Sequence, residues 1–330
     1  MRPAIPELQD AVEPPECRGL ARDEVRLLGT NRASGVHSHA SFLDLPLLLR
    51  VGDVLVVNDS ATIPAALVAQ RANGESIALH VATAMDARLW TVEPRGSVQP
   101  GEELRLPGGA CARALAPVDP ASPRLWYASF VLPLPMTDYL ARYGEPIRYG
   151  YVTRRFPLRD YQTIFAREPG SAEMPSAARP FSRRVLAALR LRGVEVVTVT
   201  LHCGVSSFES PERPGTERFA VSPVAADAVN RARRERRRII AVGTTALRAL
   251  ESAASGGELV PARGWTDLVI GDGDRITTAD GLLTGFHHGS ATHQAILRAF
   301  LPDAALASAY DEAARRGYRR HEFGDVHLIV

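Results

Sequence analysis

Three histidines fall within ten residues of the stretch "TGFHHGSATH": His287, His288 and His293. Histidine is the side chain best suited to move protons near neutral pH, and it is also a common metal ligand. A zinc site would need nitrogen or sulfur ligands held at fixed separations. His287 and His288 are adjacent and diverge on most backbones, and no HExxH or CxxC accompanies them. No metal is therefore expected. A fourth histidine, His202, closes the β-branched run "GVEVVTVTLH" and is followed by the small-residue loop "CGVSS". The carboxyl ends of strands are where α/β proteins collect their active sites. His202 thus reads as an acid, a base or a hydrogen-bond donor, or equally as a satisfied core histidine.

Anion chemistry has its own signal in "AVGTTALRALES". The pattern is strand, glycine, two threonines, helix. Thr244 or Thr245 can cap the helix. Its first amides and dipole then favour a carboxylate or phosphate, although an ordinary capped turn has the same pattern. The GxxxxGK[ST] spacing of a nucleotide-binding loop is absent. A basic run, Arg231 to Arg238, fits either a phosphate-binding patch or a solvated helix face, with no aromatic residues interleaved for base stacking.

The elements that must position these groups are legible as strands and helices. "VGDVLVVND", "GVEVVTVTLH" and "RRIIAVGTT" are short apolar runs of the buried-strand type, and the last two have helical patterns beside them. Alternation of strand and helix predicts an α/β domain, barrel-like, with a parallel sheet. Residues 68–150 differ: Gly/Pro-punctuated turns separate short strands such as "SIALHVAT" and "LWYASFVL". That pattern predicts a small antiparallel β-barrel. The expected organisation is a catalytic α/β domain from residues 1–67 and 151–330, interrupted by a β-barrel domain from 68–150.

Composition narrows the class. The chain has 330 residues, 45% hydrophobic and 23% charged, which suits a soluble globular protein with an ample core. The net charge of +2 excludes a general polyanion binder. All 39 basic residues are arginine. Three scattered cysteines, Cys17, Cys111 and Cys203, argue against a disulfide framework. No run is long enough for a membrane helix, and the N-terminus lacks the apolar segment of a secretory signal. No membrane partner is expected, and the cytoplasm is the default compartment.

Read together, these motifs resemble the S-adenosylmethionine:tRNA ribosyltransferase-isomerases of queuosine biosynthesis. "GDVLVVNDSATIPAAL", "YQTIFA", "VTLHCGVSSF", "VGTTALRALE", "TGFHHGSAT" and "YRRHEFGDVHLI" are similar, in order, to that family's motifs. The resemblance implies transfer and rearrangement of the ribosyl group of S-adenosylmethionine. The acceptor is 7-aminomethyl-7-deazaguanine in tRNA, the product is epoxyqueuosine, and adenine and methionine are released. It implies S-adenosylmethionine as co-substrate, no metal, and a monomer. By position in the motifs, His202, His287 and Glu217 are the implied acid–base residues. Gly204, Gly243, Thr244 and Thr245 are the implied co-substrate site, with Thr244 and Thr245 suited to its carboxylate. Tyr161, Gln162 and Asp325 match family motifs without an assignable role. The chain also departs from the family. "PSAARPF" replaces Pro-Thr-Ala-Gly-Leu-His-Phe, two family arginines are Ala61 and Ala66, and Gly289 stands for a proline. Arg179, Arg183, Arg184 and the run from Arg231 to Arg238 are then the arginines left for tRNA phosphates. Two alternatives stand beside the tRNA enzyme. One is a paralogue that cleaves S-adenosylmethionine for a different, free small-molecule acceptor. The other is an inactive relative that binds RNA or a partner.

Overall fold

The computed structural model describes residues 3–205, 215–288 and 293–330. The principal strands are β1 (Arg26–Thr30), β2 (His37–Ser41), β3 (Val54–Asn58), β4 (Ala66–Gln70), β5 (Ser76–Ala84), β6 (Leu89–Pro94), β7 (Glu103–Leu106), β8 (Ala110–Pro117), β9 (Trp126–Val131), β10 (Glu195–Leu201), β11 (Glu217–Val221), β12 (Ile239–Val242), β13 (Ala262–Thr266), β14 (Gly281–Gly285) and β15 (Val326–Ile329). The principal helices are α1 (Met136–Tyr143), α2 (Arg183–Leu191), α3 (Pro223–Arg234), α4 (Thr244–Ser252), α5 (His293–Arg298) and α6 (Asp303–Arg315).

Nine strands form one mixed sheet in the order β13-β11-β10-β3-β12-β14-β15-β1-β2. Its centre, β10-β3-β12-β14, is parallel. All five residues of β3 are buried, as a parallel strand covered on both faces requires. Val54 and Val56 pack with α3 and α4 on one face. Leu55 and Val57 pack with α2 on the other, following the two-residue alternation of a strand. Ser182 and Ser222 cap α2 and α3 by accepting from Val185 and Ala225 amides at 3.3 and 3.1 Å. The α/β part is thus a helix-covered mixed sheet.

Strands β4 to β9 close into a six-stranded antiparallel barrel in the order β8-β9-β6-β5-β4-β7. Its interior is filled by alternating apolar residues such as Leu67, Leu79, Val81 and Val92. Pairing of Leu67 with Leu79 brings the barrel's first strand in at Ala66. A short parallel ladder between Ser60–Thr62 and Glu168–Ser171 ties together the chain entering and leaving this region.

The arginine run serves the sheet. Arg231 and Arg237 pair with Glu195 at 2.7 and 3.0 Å. Arg233 donates to the Gly257 carbonyl at 2.8 Å. Arg238 grips buried Asp53 through two nitrogens, at 3.0 and 2.5 Å. Asp53 and Glu195 sit at the amino ends of β3 and β10, the pole away from the strand carboxyl ends. Arg179 is 2% exposed and holds Glu16 and the Asp160 carbonyl. Arg184 forks onto Asp23. Arg179 and Arg238 are thus committed within the fold, whereas Arg184 and Arg231 stay about half exposed beside their carboxylates. No helix among the described residues is long and apolar enough to cross a membrane.

Candidate active site

The carboxyl ends of β10, β3, β12 and β14 open into a cavity of about 220 Å³, whose far wall is the barrel. Asn58, at the end of β3, knits this edge together and is fully buried. Its amide donates to the Leu201 carbonyl at 2.8 Å and to Thr245 Oγ1 at 3.2 Å. Its carbonyl oxygen accepts from the amides of Ser60 and Leu201 at 3.1 and 3.0 Å. One side chain therefore fixes the loops after three parallel strands.

After β12 the chain turns at Gly243, whose φ of +89° is left-handed and suits glycine. Gly243, not a threonine, is the N-cap of α4, and no side chain caps the helix. This corrects the capping expectation: Thr244 is already the first helical residue, and Thr245 is engaged by Asn58. The consequence is chemical. The first amides of α4 have no side-chain acceptor and line the cavity, where the helix dipole favours an anion.

One turn on, Arg248 projects from the same helix face as Thr244. It is 5% exposed. Its Nε donates to the Leu268 carbonyl at 3.0 Å and its Nη1 to Glu217. Its Nη2 has no partner among the described residues, although it is buried. Glu217 accepts from Arg248 with one oxygen and from the Gly204 amide, at 2.7 Å, with the other. Both oxygens are occupied, so Glu217 is placed to orient Arg248. Gly204 also comes close to the barrel, since a Cβ there would meet Thr83 Oγ1 at 3.2 Å.

His287 follows β14 and lines the cavity, as does His293 at the start of α5. Their rings stack at 4.2 Å between centroids, 8° from parallel. His287 Nε2 lies 3.0 Å from Thr284 Oγ1, and its amide donates to the Tyr310 hydroxyl at 3.1 Å. Burial holds His287 well below the usual imidazole range, with the His293 and His321 charges adding to it. Burial and nearby Arg248 lower His293 to about 4. Both imidazoles are neutral at pH 7 and able to accept a proton. His288 instead sits 3.2 Å from Glu7. Among the described residues no group of three His, Cys, Asp or Glu side chains is arranged to hold a metal ion.

Other expected residues sit differently. The Cys203 side of the β10 loop lines the cavity, and His202 does not. Successive side chains on an extended segment point to opposite sides. The His202 ring accordingly turns to Ser60 Oγ, at 2.7 Å, and covers Gly170, where a Cβ would lie 2.6 Å from Nδ1. Gln162 bridges the backbone of Thr62, accepting at 3.0 Å and donating at 2.7 Å. Asp325 accepts from the amides of Arg26 and Arg319, both at 2.8 Å. His202, Gln162 and Asp325 are thus removed from the cavity wall by hydrogen bonds that shape the frame around it. Tyr161 does line the cavity.

A third wall was not anticipated. Tyr149 donates to Glu173 and Tyr151 to Glu322. Tyr149, Glu173 and Glu322 line the cavity. The Tyr149 and Tyr151 rings stack at 6.1 Å, and Tyr151 stacks on His321 at 4.2 Å. His321 is held with a left-handed φ of +73°, a conformation that costs a non-glycine residue about 1–2 kcal/mol. His321 and Glu322 fall inside the motif "YRRHEFGDVHLI", but no spacing joins them to Tyr149, Tyr151 and Glu173 in distant segments. Arg248 did carry a signal, at i+4 from Thr244 inside a recognised motif.

The family model described as "Queuosine biosynthesis protein" matches residues 4–329 of the chain. An S-adenosylmethionine:tRNA ribosyltransferase-isomerase of Moorella thermoacetica is 37% identical, over 99% of this chain and 97% of its own. A protein of the same name from Carboxydothermus hydrogenoformans is 35% identical, over 94% of each. Among solved structures, an S-adenosylmethionine tRNA ribosyltransferase from Thermotoga maritima matches with a TM-score of 0.57 and 27% identity, over 99% of both chains.

Proposed function

The chain belongs to the queuosine biosynthesis protein family and is a transferase/isomerase enzyme, and on that footing we propose the reaction and the residues that carry it. The enzyme moves the ribosyl group of S-adenosylmethionine onto 7-aminomethyl-7-deazaguanine in tRNA. It rearranges that group to the epoxycyclopentanediol of epoxyqueuosine and releases adenine and methionine. The observation that carries this reading is one cavity holding an uncapped helix start beside an unpartnered arginine nitrogen and a stacked pair of neutral histidines.

The methionine carboxylate is seated by the first amides of α4, at Thr244 and Thr245, presented by the turn at Gly243, together with Arg248 Nη2. Glu217 and Gly204 position that arginine. The proton on the 5′ carbon, acidified by the adjacent sulfonium, passes to the His287–His293 pair. The C–H bond breaks and an imidazole N–H forms. The same proton is then available to the departing adenine nitrogen, which restores the neutral pair. Tyr161 belongs to the wall around the reacting groups. His202, Gln162 and Asp325 are positioning residues of the frame. In this proposal residues 1–67 and 151–330 supply these groups, and the insert at 68–150 closes the cavity and shields it from water.

A second reading, a free small-molecule acceptor, draws on the arginines that are spent on internal carboxylates. Measuring adenine release from S-adenosylmethionine separates the two. Release that requires tRNA bearing 7-aminomethyl-7-deazaguanine supports the first. Release with the free base alone supports the second.

A further inference from the structure

The phenol–carboxylate wall is unused by the chemistry above, and two further observations bear on what it binds. Tyr161, 4% exposed and lining the same cavity, has a hydroxyl with no hydrogen-bond partner among the described residues. Thr62, also 4% exposed and lining the cavity, has an Oγ1 likewise unpartnered among them. Buried polar atoms without partners are rare in folded proteins and call for an explanation. Glu322 accepts a hydrogen bond from the Tyr151 hydroxyl, with Arg179 as a nearby positive charge. Because the phenols of Tyr149 and Tyr151 donate to the carboxylates, both glutamates act as acceptors. The wall therefore combines carboxylate oxygens and hydroxyl oxygens able to accept with aromatic rings. A compact cation with several N–H donors complements that set, as a primary ammonium does. The sulfonium carries charge but no donor, so it would leave the hydroxyls unsatisfied.

We propose that Glu322, Glu173, Tyr161 and Thr62 form a seat for a primary ammonium group at the edge of the reaction cavity. This rests on the proposed reaction, in which two ligands carry such a group. One is the aminomethyl substituent of the acceptor base, and the other is the α-amino group of the methionine part of S-adenosylmethionine.

The test compares each cation with a neutral counterpart by calorimetry, in the full-length wild type and in Glu322→Gln. One pair is tRNA bearing 7-aminomethyl-7-deazaguanine against the same tRNA bearing 7-cyano-7-deazaguanine. The other is S-adenosylmethionine against its analogue lacking the α-amino group. The wild type should prefer one cation over its counterpart by roughly tenfold or more, the weight of a charge-assisted hydrogen bond. Glu322→Gln should erase that preference while leaving the neutral ligand's affinity unchanged. Loss confined to the tRNA pair assigns the seat to the acceptor, and loss confined to the other pair assigns it to methionine. Preferences that survive in both pairs overturn the seat. Glu173→Gln, on the neighbouring phenol pair, repeats the comparison should Glu322→Gln melt early. Because these readouts are binding alone, wild-type enzyme that shows the preference yet releases no adenine overturns the proposed reaction without overturning the seat.

Discussion

Replacing Arg248 by lysine isolates one nitrogen. In the native side chain Nε is held by the Leu268 carbonyl, Nη1 by Glu217, and Nη2 by no described residue. Lysine keeps the charge, so Glu217 retains a counter-ion. Removing the charge outright would strand that buried carboxylate, at about 3–5 kcal/mol. What lysine cannot do is satisfy Glu217 and a ligand carboxylate through two fixed prongs at once. The loss at the ligand is one charge-assisted hydrogen bond, about 1.5–3 kcal/mol. At about 1.4 kcal/mol per decade, that weakens S-adenosylmethionine binding roughly 10- to 150-fold. Calorimetric titration of wild type and Arg248→Lys measures it. Decarboxylated S-adenosylmethionine is the internal control: it has no carboxylate for Nη2 to grip, so its affinity should be the same in both proteins. Equal losses for the two ligands would refute the carboxylate assignment, because the variant would then have damaged the cavity and not one contact.

Gly243→Val should abolish measurable S-adenosylmethionine binding, since φ +89° is hostile to a β-branched residue and the turn presents the α4 amides; calorimetry with a melting control checks it. His287→Ala should lower turnover by roughly two to four orders of magnitude with a smaller change in binding, whereas His202→Ala should cost less than about tenfold, a contrast read from single-turnover adenine release. Stability should fall as pH drops from 6.5 toward 4. His287 and His293 (lowered to about 4), His321 (also about 4) and His327 (about 3) all have folded pKa values below the unfolded 6.5. Their contribution is therefore complete above pH 6.5 and is lost as the unfolded chain takes up protons, by up to about 1.4 kcal/mol per pH unit per group. A flat denaturation free energy between pH 6.5 and 5 would show the imidazoles to be solvated. Arg238→Ala should destabilise by about 3–5 kcal/mol, because Asp53, 2% exposed, loses its partner, and should leave the salt dependence of tRNA binding unchanged.

What was legible in the chain and what was not divides along a physical line. Periodicity within a segment exposed the three parallel strands, the Gly-Thr-Thr turn and the barrel's punctuated strands, because those are local consequences of local sequence. The expectation at Gly243 went astray on one residue: threonine is a good cap, but the turn needed a left-handed backbone, and glycine took the position. The expectation at His202 went astray on one side-chain alternation, since a strand-end residue reaches the cavity only if it faces it, and Cys203 does. His293 was passed over because it lies one residue beyond the motif "TGFHHGSAT", and only the fold stacks it on His287. The partners of the arginine run were hidden for a related reason. Charge density in one dimension says nothing of the acids it will meet, and Asp53 and Glu195, far away in sequence, claim it. The Tyr149, Tyr151, Glu173 and Glu322 wall was not legible as a unit, although Glu322 stands in a recognised motif, because its pairings join positions 24 and 171 residues apart. The cavity thus has two kinds of residue. Those on the parallel strand ends are fixed by segments a sequence reader can recognise. Those on the opposite wall are set by long-range closure, and substitutions at Tyr149, Tyr151 or Glu173 can retune the ligand while every recognisable motif stays in place.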